Sequence, residues 1–240
     1  MSASVLIVDD DPICREHATA TLAAAGYTTH AVATLADARA ALRAGRDDIV
    51  LCDLELPDGS GVELAGELRA GGRRAIAMSA DITPSRRATL RDAGFATALE
   101  KPIRAETLVA TVGELVGRQA APARKSEPER GETAMLDDAA ALLVAGNADV
   151  ATGLRRLLRD ELPAQRNEIA AALARDDRAA ARAVLHRLRA SAGFCGARAL
   201  GRAAEALSDA LDRGQHDSAH AQFERVLDKT LAALTTRTSL

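Results

Sequence analysis

Five short apolar runs in the first half of the chain are each followed by a stretch of helical spacing. The runs are "SVLIV" (4–8), "THAV" (29–32), "DIVLC" (48–52), "AIAMS" (75–79) and "TALE" (97–100). The stretches are "REHATATLAAAG", "LADARAALRAG", "GVELAGELRAGG", "SRRATLRDAG" and "AETLVATVGELVG", each closing on glycine. Strands separated in this way pair in parallel through helical crossovers rather than as hairpins. The alternation predicts an α/β domain over residues 1–117, a flavodoxin-like doubly wound parallel sheet with helices on both faces.

Residues 118–134, "RQAAPARKSEPERGETA", lose the apolar period and gain proline and charge, the pattern of a linker. If flexible, a linker of that length has a root-mean-square span of roughly 20–25 Å. Residues 135–240 read as helical throughout. Asp149, Asp176 and Asp177 sit near helix starts, Pro163 near a helix boundary and Gly214 near a stop. Alanine-rich helices pack closely, which predicts an antiparallel helical bundle.

At 240 residues the chain is long enough for two domains, each with its own core. A net charge of −3 and an aromatic content of 2% give no support to nucleic-acid binding. Residues 1–117 hold 12 Lys/Arg against 17 Asp/Glu, and the remainder 19 against 17, so the halves differ only mildly in sign. Cys14, Cys52 and Cys195 are scattered, which argues against a disulfide scaffold or a zinc site. With no signal-peptide pattern and no apolar run near membrane-spanning length, membrane insertion is not expected, and a reducing cytoplasm fits.

Ligands of a doubly wound sheet bind outside the carboxyl ends of its strands. There the sequence places Asp9, Asp10 and Asp11 after the first strand, Asp53 at the end of the third, Ser79 at the end of the fourth and Lys101-Pro102 after the fifth. Carboxylates about 4 Å apart repel by about 4 kcal/mol at an effective dielectric near 20. Such a group therefore needs a cation or protonation, and hard oxygen donors with open positions suit Mg²⁺. A carboxylate held beside that ion can attack phosphorus, with Lys101 and the Ser79 hydroxyl stabilising the phosphoryl oxygens. Any one of these acidic residues alone reads as a cap or a turn.

These residues resemble the receiver domain of two-component response regulators. "VLIVDDDP" is similar to its first strand and acidic pair, and "DIVLCDLELPDGSGVEL" to its phosphoacceptor strand, loop and third helix. "AIAMSA" is similar to its hydroxyl-bearing strand and "LEKPI" to its lysine-proline loop. The resemblance implies Asp53 as phosphoacceptor, Asp10 as direct metal ligand, Asp9 as a ligand through water and Glu55 through its backbone carbonyl. It also implies Ser79 as the switching hydroxyl, Lys101 as the phosphate-contacting ammonium and a cis Lys101-Pro102 bond. Asp11 falls outside the acidic pair and reads as a turn residue. Where receivers often place an aromatic that turns inward on phosphorylation, this chain has Ala98, so the usual relay to the output face is absent. Glu55 sets a charge beside the phosphoryl site and implies an atypical dephosphorylation rate.

In the second half, Leu185, Leu188, Ala192 and Cys195 recur at helical spacing and form one buried stripe. His186, Arg189, Ala190 and Gly193 then lie on a neighbouring face. That face combines an imidazole, a guanidinium and two small residues that leave clearance for a docking partner. "HRLRASAGFCGARAL" resembles the signature of histidine-containing phosphotransfer domains, which are helical bundles. The resemblance implies His186 as phosphoryl carrier, with Arg189 where lysine is usual and Ala190 where glycine is usual. The other histidines, His17, His30, His216 and His220, lack these surroundings and read as surface or helix residues.

Together the two resemblances imply a phosphorelay protein, phosphorylated on Asp53 and passing phosphoryl groups through His186. No nucleotide-binding loop is visible, so the expected partners are a separate sensor histidine kinase, often hybrid, and other receiver or HPt proteins. The competing reading is a regulatory module in which Asp53 phosphorylation controls docking and His186 transfers nothing. No Ser–His–Asp pattern supports a hydrolase.

Overall fold

Residues 5–8 and 49–53 are buried without interruption, as strands covered on both faces require. The computed structural model describes residues 3–45, 47–117, 135–214 and 216–237, and the linker expected at 118–134 lies outside them. The chain divides into two compact units, Met1–Lys125 and Ser126–Leu240.

In the first unit β1 (Ser4–Val8), α1 (Pro12–Ala24), β2 (Thr28–Val32), α2 (Leu35–Ala44) and β3 (Ile49–Asp53) follow one another. A short hairpin, β4 (Glu55–Leu56) with β5 (Gly59–Ser60), then leads into α3 (Val62–Ala70), β6 (Arg74–Ser79), α4 (Pro84–Ala93), β7 (Thr97–Glu100) and α5 (Ala105–Leu115). The main sheet has five parallel strands in the order β2-β1-β3-β6-β7. This is the doubly wound order read from the sequence, with its switch point between β1 and β3. The period of two along each strand divides the core. Leu6, Val8, Val50 and Cys52 pack with Leu35, Leu42, Leu64 and Leu68 of α2 and α3. Val5, Ile7, Ile49 and Leu51 pack with Leu22 of α1 and with Leu108 and Val112 of α5. Each such side chain stabilises the fold by about 1.5–3 kcal/mol when fully buried.

The β4–β5 hairpin was not expected. It pairs Glu55 with Ser60 in "LELPDGSG", and the Asp58 carboxylate at its tip accepts hydrogen bonds from Leu35 N and Ala36 N, both 2.9 Å. Those donors open α2, and they hold the Asp58 carboxyl below the ordinary carboxylate range. The loop that follows β3 is thereby pinned to a second helix.

The second unit contains α6 (Asp138–Ala145), α7 (Ala148–Ala174), α8 (Arg178–Phe194), α9 (Arg198–Asp212) and α10 (Asp217–Arg237). α8 packs on α7 and α9, α10 closes against α9 and α7, and the short α6 lies on α7 and α8. Connections this short make successive long helices antiparallel neighbours, the bundle expected from the sequence. Asp177 caps α8 through Ala180 N (3.0 Å), and Asn147 caps α7 through Val150 N (2.8 Å), with Asp149 in its first turn. Pro163 is not at a boundary: it lies inside α7. The buried stripe Leu154, Leu158, Leu162, Ile169, Ala172 runs past it unbroken, while Pro163 faces solvent. Water can serve the carbonyl that proline leaves unbonded, and packing of the opposite face carries the helix through. Among the described residues, no helix is long and apolar enough to cross a membrane.

Candidate functional site

At the switch point, β1 delivers Asp9 and Asp10 and β3 delivers Asp53, whose carboxylates each place an oxygen within 4.8 Å of the others. Lys101, just beyond β7, sets its Nζ 2.7 Å from Asp9 Oδ2 and 2.6 Å from Asp53 Oδ2. Asp9, Asp53 and Lys101 are all buried, at 0%, 6% and 8% exposure, so water screens these charges little. Burial raises the Asp9 carboxyl above the ordinary carboxylate range, with Lys101 pulling it back. Burial also opposes the Lys101 charge, but the Asp9 and Asp53 carboxylates outweigh it and hold the ammonium well above its usual range. Three carboxylates against one ammonium leave a surplus of negative charge on hard oxygen donors. The residues present therefore fit a divalent cation such as Mg²⁺.

The backbone sets this geometry. Lys101 N donates to Ser79 O (2.8 Å), and the Lys101-Pro102 bond is cis, as the resemblance implied. Ser79 is buried at the end of β6, and its Oγ accepts from Asp81 N (3.3 Å). Glu55 N donates to Asp53 Oδ1 (3.1 Å), while the Glu55 side chain is exposed and its carboxylate stands outside the acidic group. Gly61 is required by close approach, because a β-carbon there would stand 1.9 Å from the Asp53 carbonyl oxygen. Asp11 is more than a turn residue. Its carboxylate caps α1 through Ile13 N (2.8 Å), and its own N–H donates to Asp9 Oδ1 (3.0 Å), so it helps to orient Asp9.

Ala98 is buried, and its carbonyl accepts from Arg87 Nη1 of α4 at 2.5 Å. A guanidinium–carbonyl contact thus ties α4 to β7 at the strand position that often carries the aromatic. His17 corrects the sequence reading more sharply. It lies on α1 but is only 1% exposed, with Nε2 2.8 Å from the Ile103 carbonyl oxygen. Burial lowers its pKa from 6.5 to about 4, against the raising effect of that hydrogen bond. The unfolded chain therefore binds the proton first, and the receiver loses stability as pH falls below 6.5, until the folded form also titrates near 4. Urea denaturation of the first unit's transition checks this. Relative to His17→Gln, the natural chain should lose about 2 kcal/mol between pH 7 and pH 4.5.

In the second unit, α8 buries Leu185, Leu188 and Ala192, and its C-cap residue Cys195 is buried with them as the stripe predicted. His186, Arg189 and Gly193 are half-buried on the neighbouring face. Arg189 Nη1 lies 3.1 Å from Glu205 Oε1 on α9, which fixes the guanidinium one turn beyond the imidazole. Ala190 departs from expectation: at 4% exposure it belongs to the packed side of α8. The structure thus gathers Asp9, Asp10, Asp53 and Lys101 into one cluster, with Ser79 and the Glu55 backbone beside it. His186 and Arg189 share a different face on the other unit.

The first unit is a doubly wound domain with an acidic, lysine-bridged switch point, and the second is a helical bundle bearing a half-buried histidine. Residues 5–113 match the family model of the response regulator receiver domain, and residues 153–237 that of the Hpt domain. The chain thus carries a receiver domain followed by an Hpt domain. It is similar to the sensor histidine kinase GacS of Pseudomonas protegens, with 30% identity over 243 residues, 96% of this chain and 26% of GacS. It is also similar to the DNA-binding response regulator MtrA of Mycolicibacterium smegmatis, 32% identical over 139 residues, 58% of each chain. The chain thus spans 58% and 26% of these relatives' lengths. Among solved structures, the chemotaxis response regulator CheY4 of Vibrio cholerae covers 48% of this chain and 99% of its own, with 26% identity and a TM-score of 0.46.

Proposed function

We propose that this chain relays phosphoryl groups, accepting them on Asp53 and carrying them on His186, between a sensor histidine kinase and other receiver or Hpt proteins in the cytoplasm. The receiver spans 1–117 and the Hpt bundle 135–240, joined through 118–134. The observation that carries this reading is the convergence of Lys101 on Asp53 and Asp9 at 2.6 and 2.7 Å. An oxygen of Asp53 attacks the phosphorus of a donor phosphohistidine, so that a P–O bond forms as the P–N bond breaks and the imidazole leaves. Lys101 and the Ser79 hydroxyl take the phosphoryl oxygens, and the charge of Lys101 offsets what builds there. Asp9, Asp10, Asp53 and the Glu55 carbonyl would hold Mg²⁺, and that ion would supply positive charge to offset the phosphoryl oxygens. At His186 an unprotonated imidazole nitrogen attacks the phosphorus of a receiver's acyl phosphate. A P–N bond forms as the P–O bond breaks and the aspartate carboxylate leaves, with Arg189 on the same face to offset the phosphoryl charge. The similarity to a sensor histidine kinase over 96% of this chain supports a kinase-linked relay.

The test is to incubate the chain with Mg²⁺, ATP and a purified sensor kinase, then sort the label by its chemistry. Acyl phosphate on Asp53 should be acid-stable and alkali-labile, and phosphohistidine on His186 the reverse. Label confined to Asp53, even with a phosphorylated receiver as donor, would remove His186 from the reaction.

A further inference from the structure

Two anchors hold the segment that carries Lys101. On one side Lys101 N donates to Ser79 O at 2.8 Å. On the other, the carbonyl of Ile103 meets the Nε2 of His17, 2.8 Å away on α1. Ile103 is itself packed into the core with Leu22, Leu108 and Val112. We infer that His17 is a positioning residue for the Asp53 reaction: its imidazole N–H holds the Ile103 carbonyl, and through that segment it fixes where the Lys101 ammonium stands.

The inference rests on the reading of Asp53 as phosphoacceptor. Burial lowers the His17 pKa to about 4, so near pH 7 the ring is neutral. A neutral ring that meets a carbonyl through Nε2 carries its proton on that nitrogen. An apolar side chain would fill the same space but offer no donor, and the carbonyl, buried beside α1, would turn to find one. Lys101 lies two residues before that carbonyl and makes two short contacts with little slack, 2.6 and 2.7 Å. A displacement of about 1 Å in such a group can lower a rate on the order of 100-fold.

The experiment measures alkali-labile label taken up by the full chain from acetyl [³²P]phosphate. His17→Leu should slow uptake about tenfold, and His17→Gln, which keeps an N–H at similar reach, should stay within about twofold of the natural chain. In a Lys101→Met background, His17→Leu should add nothing, because the interaction it serves is already gone. Equal losses in both backgrounds, or a glutamine variant as slow as the leucine variant, would overturn the inference and leave Asp53 in place. No label on the natural chain would overturn the phosphoacceptor reading and this inference with it. Should His17→Leu fail to fold, His17→Asn, whose amide is too short to reach Ile103, takes its place in the same cycle.

Discussion

Lys101→Met should lower phosphoryl uptake at Asp53 by about 100- to 1,000-fold, the range seen when one preorganised donor is removed from a charge-developing site. The same substitution, in EDTA, should destabilise the receiver by about 3 kcal/mol, because it leaves buried carboxylates without their counter-charge. Asp9 is fully buried and Asp53 nearly so, and Lys101 Nζ touches both. Without the ammonium, the Asp9 carboxyl, already raised by burial, rises further. A carboxyl raised in the folded state contributes stability as pH falls, so the deficit should be largest near pH 8 and shrink toward pH 5. Added Mg²⁺ should remove most of it, since a cation on the same oxygens replaces the lost charge. Urea denaturation at two pH values, with and without Mg²⁺, measures each part. A variant that keeps the natural uptake rate would remove Lys101 from the phosphoryl site. A stability deficit indifferent to both pH and Mg²⁺ would place its origin in packing rather than charge.

Where the sequence read true, the controlling interaction was periodic or adjacent. Alternation of apolar runs and helical stretches dictated the parallel sheet, and the strand ends then dictated where Asp10, Asp53, Ser79 and Lys101 emerge. The α8 stripe followed from 3.6-residue spacing alone. Where it read wrongly, the partner lay far along the chain or the signal was too short to have a period. His17 looks like an ordinary polar helix residue until Ile103, 86 positions later, is folded against it. Asp58 looks like a turn aspartate, but its carboxylate serves the start of α2, more than 20 residues upstream. Strands of two residues, as in β4 and β5, carry no alternation to detect. Pro163 misled for another reason. Proline costs a helix interior a hydrogen bond and a clash with the preceding turn, and in α7 the packing of the opposite face outweighs that cost, which the local sequence does not show.

Gly196→Ala should cost the bundle about 3 kcal/mol, and here two penalties add. Gly196 has φ +70°, a left-handed conformation that costs an L-residue about 1 kcal/mol or more. A β-carbon there would also stand 2.2 Å from the Asp137 carbonyl oxygen and 3.3 Å from Ala141 Cβ, overpacking that typically costs about 1–3 kcal/mol. The neighbours cannot yield freely, because the turn after α8 and the start of α6 are locked together. Asp137 N donates to Gly196 O (2.9 Å), and the Asp137 carboxylate caps α6 through Ala140 N (2.9 Å). Arg155 reaches from α7 to donate to Cys195 O (3.0 Å) and Asp137 O (3.2 Å), and it pairs with Asp138 at 2.6 Å. Against a domain stability of about 5–15 kcal/mol, a loss of this size is severe. It should appear as a lower urea midpoint and as faster amide exchange through residues 138–145. His186 stands ten residues upstream of Gly196, about 15 Å along α8 and its turn. Phosphoryl transfer per folded molecule should therefore be unchanged. A variant of natural stability would show that the turn relaxes away from α6, and slow exchange retained in α6 would show that Arg155 alone holds it.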